Sequence, residues 1–87
     1  MPFEFDPAKS ASNKIKHGID IVEAQAMWAD EERLEAPVSS PTEPRFQVLG
    51  LIHRKLWAAF ITYRGENVRI ISVRVARKSE REHYHGR

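Results

Sequence analysis

The sequence predicts an α+β fold, with two N-terminal helices packed on a three- to four-stranded antiparallel sheet and a short C-terminal helix. Three observations carry this. Residues 7–29 repeat apolar groups at helical spacing between clear caps. After Pro44 the pattern changes to apolar and β-branched runs divided by tight turns. A chain of 87 residues is long enough for only one core, so helices grouped before a strand meander must share it. Residues 1–87 are therefore expected to form a single domain.

Phe3-Glu4-Phe5 alternates and reads as a short strand or a lead-in. Asp6-Pro7 starts a helix: Asp6 accepts from the orphan amides, and proline at the first position loses no hydrogen bond. This helix runs from Pro7 to about His17, where Gly18 supplies a left-handed stop. Lys14, Lys16 and His17 suit the negative end of its dipole. Its apolar stripe is thin, made of Ala8, Ala11, Ser12 and Ile15. Asp20 with Glu23 has capping-box spacing, and Ile21, Ala24, Met27 and Trp28 follow at helical spacing. The second helix is expected to end near Ala29 or Asp30. Pro37, Pro41 and Pro44 make residues 34–44 loop-like, with room for an edge strand around Leu34–Pro37. Arg45–Ile52, Leu56–Tyr63 and Val68–Val75 are the three clear strands. Turns at residues 53–55 and 64–67 join them into a meander, with Leu56–Tyr63 in the centre. In the tail, Ser79 with Glu82 reads as the cap of a short helix.

Composition narrows the function classes. Apolar residues make up 41% and charged residues 30%, which excludes wholesale disorder. The longest apolar runs, such as Leu56–Ile61, fall far short of the ~20 residues of a membrane span. No basic segment followed by an apolar one opens the chain, so no signal peptide, no membrane partner and a cytoplasmic location are expected. The absence of cysteine removes disulfides, thiolate catalysis and cysteine-ligated metals. His83 and His85 are two apart, a poor spacing for metal on a helix, so neither metal nor cofactor is expected. The net charge of +2 divides into −5 over residues 1–44 and +7 over residues 45–87. Eight of the nine arginines lie in the second half. Such clustering fits a phosphate-bearing or acidic partner, and fits equally a fold whose halves neutralise each other.

Several motifs together resemble one family. Phe3-Glu4-Phe5-Asp6, Lys9, Asn13 and Lys16-His17-Gly18 are similar to the opening of the BrnT-type toxins of bacterial toxin–antitoxin pairs. Glu43-Pro44-Arg45-Phe46 with Gly50 resembles the family's Glu-Arg-Phe strand start and its glycine. Arg64-Gly65 and Arg69-Ile70-Ile71-Ser72-Val73-Arg74 resemble its Arg-Ile-Ile-Ser-Ala-Arg strand, and Ala76, Glu80-Arg81 and Tyr84 its closing segment. Phe5 stands where tryptophan is common, and Val73 where alanine is common. The resemblance implies a RelE/ParE-like fold and a ribosome-associated or free endoribonuclease that cleaves mRNA and arrests translation. It further implies a cognate antitoxin, usually of the ribbon-helix-helix type, through which alone the complex contacts DNA. Two other classes stay open: an antitoxin-binding, operon-regulating module with little nuclease activity, and a plain RNA-binding domain.

Metal-free RNA cleavage needs a base for the 2′-hydroxyl, cations on the phosphorane, and an acid for the leaving 5′-oxygen. Arginine suits the cationic role through its bidentate fork, and histidine suits proton transfer. Arg64 and Arg74 are the expected catalytic phosphate contacts, or else solvated strand-end arginines. In a regular strand Arg69 and Arg74 face opposite sides, with Val68, Ile70, Ser72 and Arg74 sharing one face; a bulge changes this. His17 reads either as a dipole-complementing helix end or as a proton-transfer group. Tyr84 reads either as packed on the sheet or as acting on the leaving oxygen. Lys16, Arg45, Arg69 and His83 are expected to hold substrate. Trp28 and Trp57 are expected in the core. The antitoxin is expected on the basic surface of residues 45–87.

Overall fold

The computed structural model describes residues 2–87. Its strands are β1 (Phe3–Glu4), β2 (Leu34–Val38), β3 (Arg45–Ile52), β4 (Lys55–Arg64) and β5 (Asn67–Val75). Its helices are α1 (Pro7–His17), α2 (Ile21–Ala24) and α3 (Lys78–His85), with a 3-10 segment over Gln25–Ala29. One sheet runs in the order β1-β5-β4-β3-β2. The meander β2 to β5 is antiparallel, as the turn signals predicted. Contrary to the all-antiparallel expectation, the sheet has five strands and is mixed. β1 lies parallel to β5, with Phe3 opposite Val68 and Glu4 opposite Arg69. A parallel pair needs a crossover and not a tight turn, so no local signal announces it.

The sheet buries both faces in part. Ile19, Ile21, Ala24 and Met27 from the helical layer pack on Val48, Trp57, Ala59, Ile61, Val68, Ile70 and Val73. On the opposite face Tyr84 of α3 packs with Leu49, Leu56, Ala58 and Ala76. β4 lies between the two cores, which explains its unbroken apolar run.

Four further expectations are corrected. The second helix stops after one turn, capped by Asp20 and Glu23, and tightens into the 3-10 segment. This segment meets β3 at Gly50, where a Cβ would lie 3.2 Å from both Cβ and carbonyl oxygen of Met27. The apolar stripe of α1 does not face the core: its buried side chains are Ser10 and Asn13, and Ala8, Ala11 and Ile15 are exposed. The cap of α3 is Arg77 with Glu80, and not Ser79 with Glu82, because Glu80 accepts from the Arg77 amide at 2.8 Å. Finally, the β4–β5 ladder slips: Phe60 faces Ser72 but Ile61 faces Ile70, which leaves Ile71 as the extra residue of a bulge. Arg69, Ser72 and Arg74 therefore share the α3 side of the sheet, while Val68, Ile70 and Val73 face the helical layer.

Candidate functional site

Past Arg69, the outer edge of β5 has no strand beside it, and α1 covers it instead. Asn13 substitutes for the missing strand. Its amide donates to Val73 O at 2.9 Å and to Ile19 O at 2.8 Å, and its carbonyl accepts from Val73 N at 3.1 Å. Ser10 Oγ accepts from the Ile21 amide at 2.9 Å and joins α1 to α2. With Ser10 and Asn13 turned inward, Lys9, Ser12 and Lys16 border a cleft against the bulged residues Ile71 and Ser72, and His17 closes one end. The cleft has a volume of about 270 Å³. No carboxylate lines it, and among the described residues neither Lys9 nor Lys16 has a carboxylate within 4 Å. Two ammonium groups, two hydroxyls and an imidazole thus meet in one concave, electropositive place, which suits a phosphodiester.

The cleft meets the arginine face of the sheet at Ser72. This residue lines the cleft and is paired with Phe60 on the side that carries Arg69 and Arg74. Every arginine singled out from the sequence has an acidic partner there. Arg69 lies 3.5 Å from Glu4. Arg45 and Arg64 flank Glu43 at 3.9 and 4.0 Å, loose contacts in which Arg45 and Glu43 are half-buried and Arg64 is exposed. Arg74 is held far more tightly: its fork donates to both oxygens of Glu80 at 2.7 and 2.8 Å, and its guanidinium lies 5.3 Å from the centre of the Phe60 ring. Gln47 adds a 2.6 Å bond to Glu80. The Arg74 hydrogen bonds, helped by the Arg77 amide and Gln47, hold the Glu80 carboxyl down at about 2 against the opposing effect of burial. Glu80 so ties α3 to β3 and β5.

Tyr84 is buried, and its hydroxyl donates to Asp30 Oδ2 at 2.5 Å. Burial, then the Asp30 bond, pushes its pKa up to about 12. Burial would raise Asp30, but the Tyr84 hydroxyl and the Leu51 and Glu32 amides outweigh it and hold that carboxyl below its usual value. Tyr84 thus anchors α3 to the end of the 3-10 segment. His83 is exposed on α3.

Lys16 and His17 are therefore the predicted site residues that share a cavity. Arg64, Arg45 and Arg69 gather at one end of the sheet, and Arg74 and Tyr84 belong to the attachment of α3. Sequence reasoning missed Lys9, Ser12 and Ser72. The spacing Lys9, Ser12, Asn13, Lys16 is a helical stripe, legible had it been read as polar; Ser72 depends on the bulge. Among the described residues no cluster of three or more His, Asp or Glu could hold a metal ion, and no helix is long and apolar enough to cross a membrane.

A family model described as "Ribonuclease toxin, BrnT, of type II toxin-antitoxin system" matches residues 5–80. That span holds the whole cleft, the four arginines and Glu80. No curated protein matches the chain.

Proposed function

The chain belongs to the BrnT family of ribonuclease toxins of type II toxin–antitoxin systems, and from that premise we propose that it cleaves mRNA, without a metal, in the cleft between α1 and β5. The observation that carries this reading is an acid-free cleft holding Lys9, Lys16 and His17, while the sheet arginines are paired with carboxylates. His17 takes the proton of the 2′-hydroxyl as that oxygen bonds to phosphorus. The bond from phosphorus to the 5′-oxygen breaks, the departing oxygen takes a proton from water, and the hydroxide so formed removes the proton held by His17. A 2′,3′-cyclic phosphate and a free 5′-hydroxyl remain. Lys9 and Lys16 balance the charge that grows on the phosphorane oxygens. Arg45, Arg64 and Arg69 draw in flanking phosphates, since contacts of 3.5–4.0 Å exchange readily for a phosphate oxygen. Arg74, its fork filled by Glu80, holds α3 on the sheet. Tyr84 and Asp30 hold α3 in place. A cognate antitoxin neutralises the protein, and growth arrest follows when it is lost.

The pairing of Arg74 with Glu80 favours a second reading, an antitoxin-binding module of little nuclease activity. Cleavage of a defined RNA in EDTA separates the two. The wild type is expected to cut, and Lys9→Ala with Lys16→Ala to cut about 10²-fold or more slowly. His17→Ala is expected to lose activity with its melting temperature unchanged. Undiminished cleavage by these folded variants overturns the assignment of the cleft.

A further inference from the structure

α1 is turned inside out. It buries Ser10 and Asn13, whereas Ile15 is 86% exposed. One exposed isoleucine is ordinary, but a second large apolar side chain, Val22, is exposed on the next helix. Lys14 bonds to Glu23 at 2.7 Å, which draws α1 and α2 together, and Val22 beside Glu23 is 57% exposed. Glu23 in turn borders a groove of about 470 Å³ whose apolar lining includes Ile19, Ala26, Ile52 and Trp57. Lys55 lines the groove, Arg54 precedes it in the chain, and Asp20, the cap of α2, is engaged with the Glu23 amide. α1 carries no acidic residue. Among the described residues Lys16, Arg54 and Lys55 have no carboxylate within 4 Å, and the one acid at the groove, Glu23, is neutralised by Lys14.

We propose that this α1–α2 face is the docking surface for the antitoxin, through a segment that places an apolar side chain in the groove and carboxylates against Lys16, Arg54 and Lys55. The proposal rests on the toxin–antitoxin reading for the existence of the partner. It overlaps the sequence expectation of a partner on residues 45–87 at Ile52, Arg54, Lys55 and Trp57, and extends it to α1 and α2. On the sheet face the Arg74 fork is filled by Glu80, while on the helical face Lys16, Arg54 and Lys55 are free to pair. The placement also supplies a means of neutralisation. Lys16, next to Ile15, lines the cleft proposed for RNA, so a segment seated on Ile15 screens that cation.

The test uses the full chain carrying Ile15→Asp and Val22→Asp, both at exposed positions, titrated calorimetrically with the purified antitoxin encoded beside it. Binding is expected to weaken about 30-fold or more, as at interface anchors. RNA cleavage by the single variant Val22→Asp, whose new charge lies outside the cleft lining, is expected to stay at the wild-type rate. Antitoxin affinity within threefold of wild type overturns the proposal. So does a wild-type dimer in sedimentation that the two substitutions dissociate, since the face would then serve a second copy of the chain. A wild type that binds antitoxin but cuts no RNA removes the cleft assignment alone, and the affinity ratio still decides the docking surface.

Discussion

Replacing Glu80 by glutamine tests what attaches α3 to the sheet. Four donors converge on this carboxylate: both terminal nitrogens of Arg74, the Arg77 amide and Gln47. The Glu80 side chain is only 15% exposed and that of Arg74 19%, so water screens the pair weakly. A carboxyl held at about 2 against an ordinary 4.5 corresponds to about 3 kcal/mol in favour of its ionised form in the fold. Glutamine keeps the shape but leaves the Arg74 charge without its partner, so a loss of about 2–3 kcal/mol is expected at pH 7. Each kcal/mol moves the melting temperature of a domain this size by about 4–8 °C, so the drop is on the order of 10 °C. The pH dependence has a definite sign. The folded pKa lies below the unfolded one, so the stabilisation is complete above pH 4.5 and fades as pH falls towards 2. Wild type and Glu80→Gln should therefore converge across that window. Urea unfolding at pH 7, 4.5 and 3 measures the gap. A difference below about 0.5 kcal/mol at pH 7, within the range of an ordinary surface substitution, would refute the reasoning. A gap that stays constant down to pH 3 would do the same.

Asn13→Ala deprives Val73 N–H and two carbonyls of their partner at a buried edge and should cost about 2–4 kcal/mol, read as a lower urea midpoint. Asn13→Asp keeps the acceptor but loses both donated bonds, so it should restore little. Gly50→Ala places a methyl group 3.2 Å from Met27 Cβ and carbonyl oxygen and should cost about 1–3 kcal/mol; unchanged thermal unfolding would mean that the 3-10 segment yields freely.

The elements that the sequence made legible are those closed by local chemistry. Asp6, Pro7 and Gly18 define α1 within their own few residues: Asp6 accepts from the Ala8 amide, and Gly18 adopts φ 77°. The hairpin around Gly65 is equally local, with Gly65 at φ 58° and Arg64 paired with Asn67. The tight turn expected at residues 53–55 is present but shorter, His53-Arg54 alone, with positive φ of 48° and 70° and no glycine, since Lys55 already pairs with Ile52. What sequence alone missed depends on residues far apart in the chain. The pairing of β1 with β5 joins Phe3 to Val68, and Asn13 reaches Val73. Ser79 and Glu82 have good capping spacing, but Glu80 prevails because Arg74 and Gln47 draw it to the sheet.

The same distinction governs the site. Helical periodicity assigned the inner face of α1 to Ala8, Ala11 and Ile15, on the premise that apolar residues seek the core. Covering the bare edge of β5 requires hydrogen bonds more than apolar area, since an unpaired buried amide costs as much as a lost methyl contact or more. Asn13 and Ser10 meet that need, and a helix with one polar face turned inward must carry its apolar stripe outward. The roles of the remaining side chains follow from that rotation: Lys9, Ser12 and Lys16 fall at the cleft, and Ile15 at the outer surface. Arg74 obeys similar logic on the other side of β5. The extra residue at Ile71 turns it towards α3, where Glu80 occupies the fork that the spacing alone had left for phosphate. One bare strand edge and one bulged residue thus decide which cations of this chain border the cleft and which are held by carboxylates.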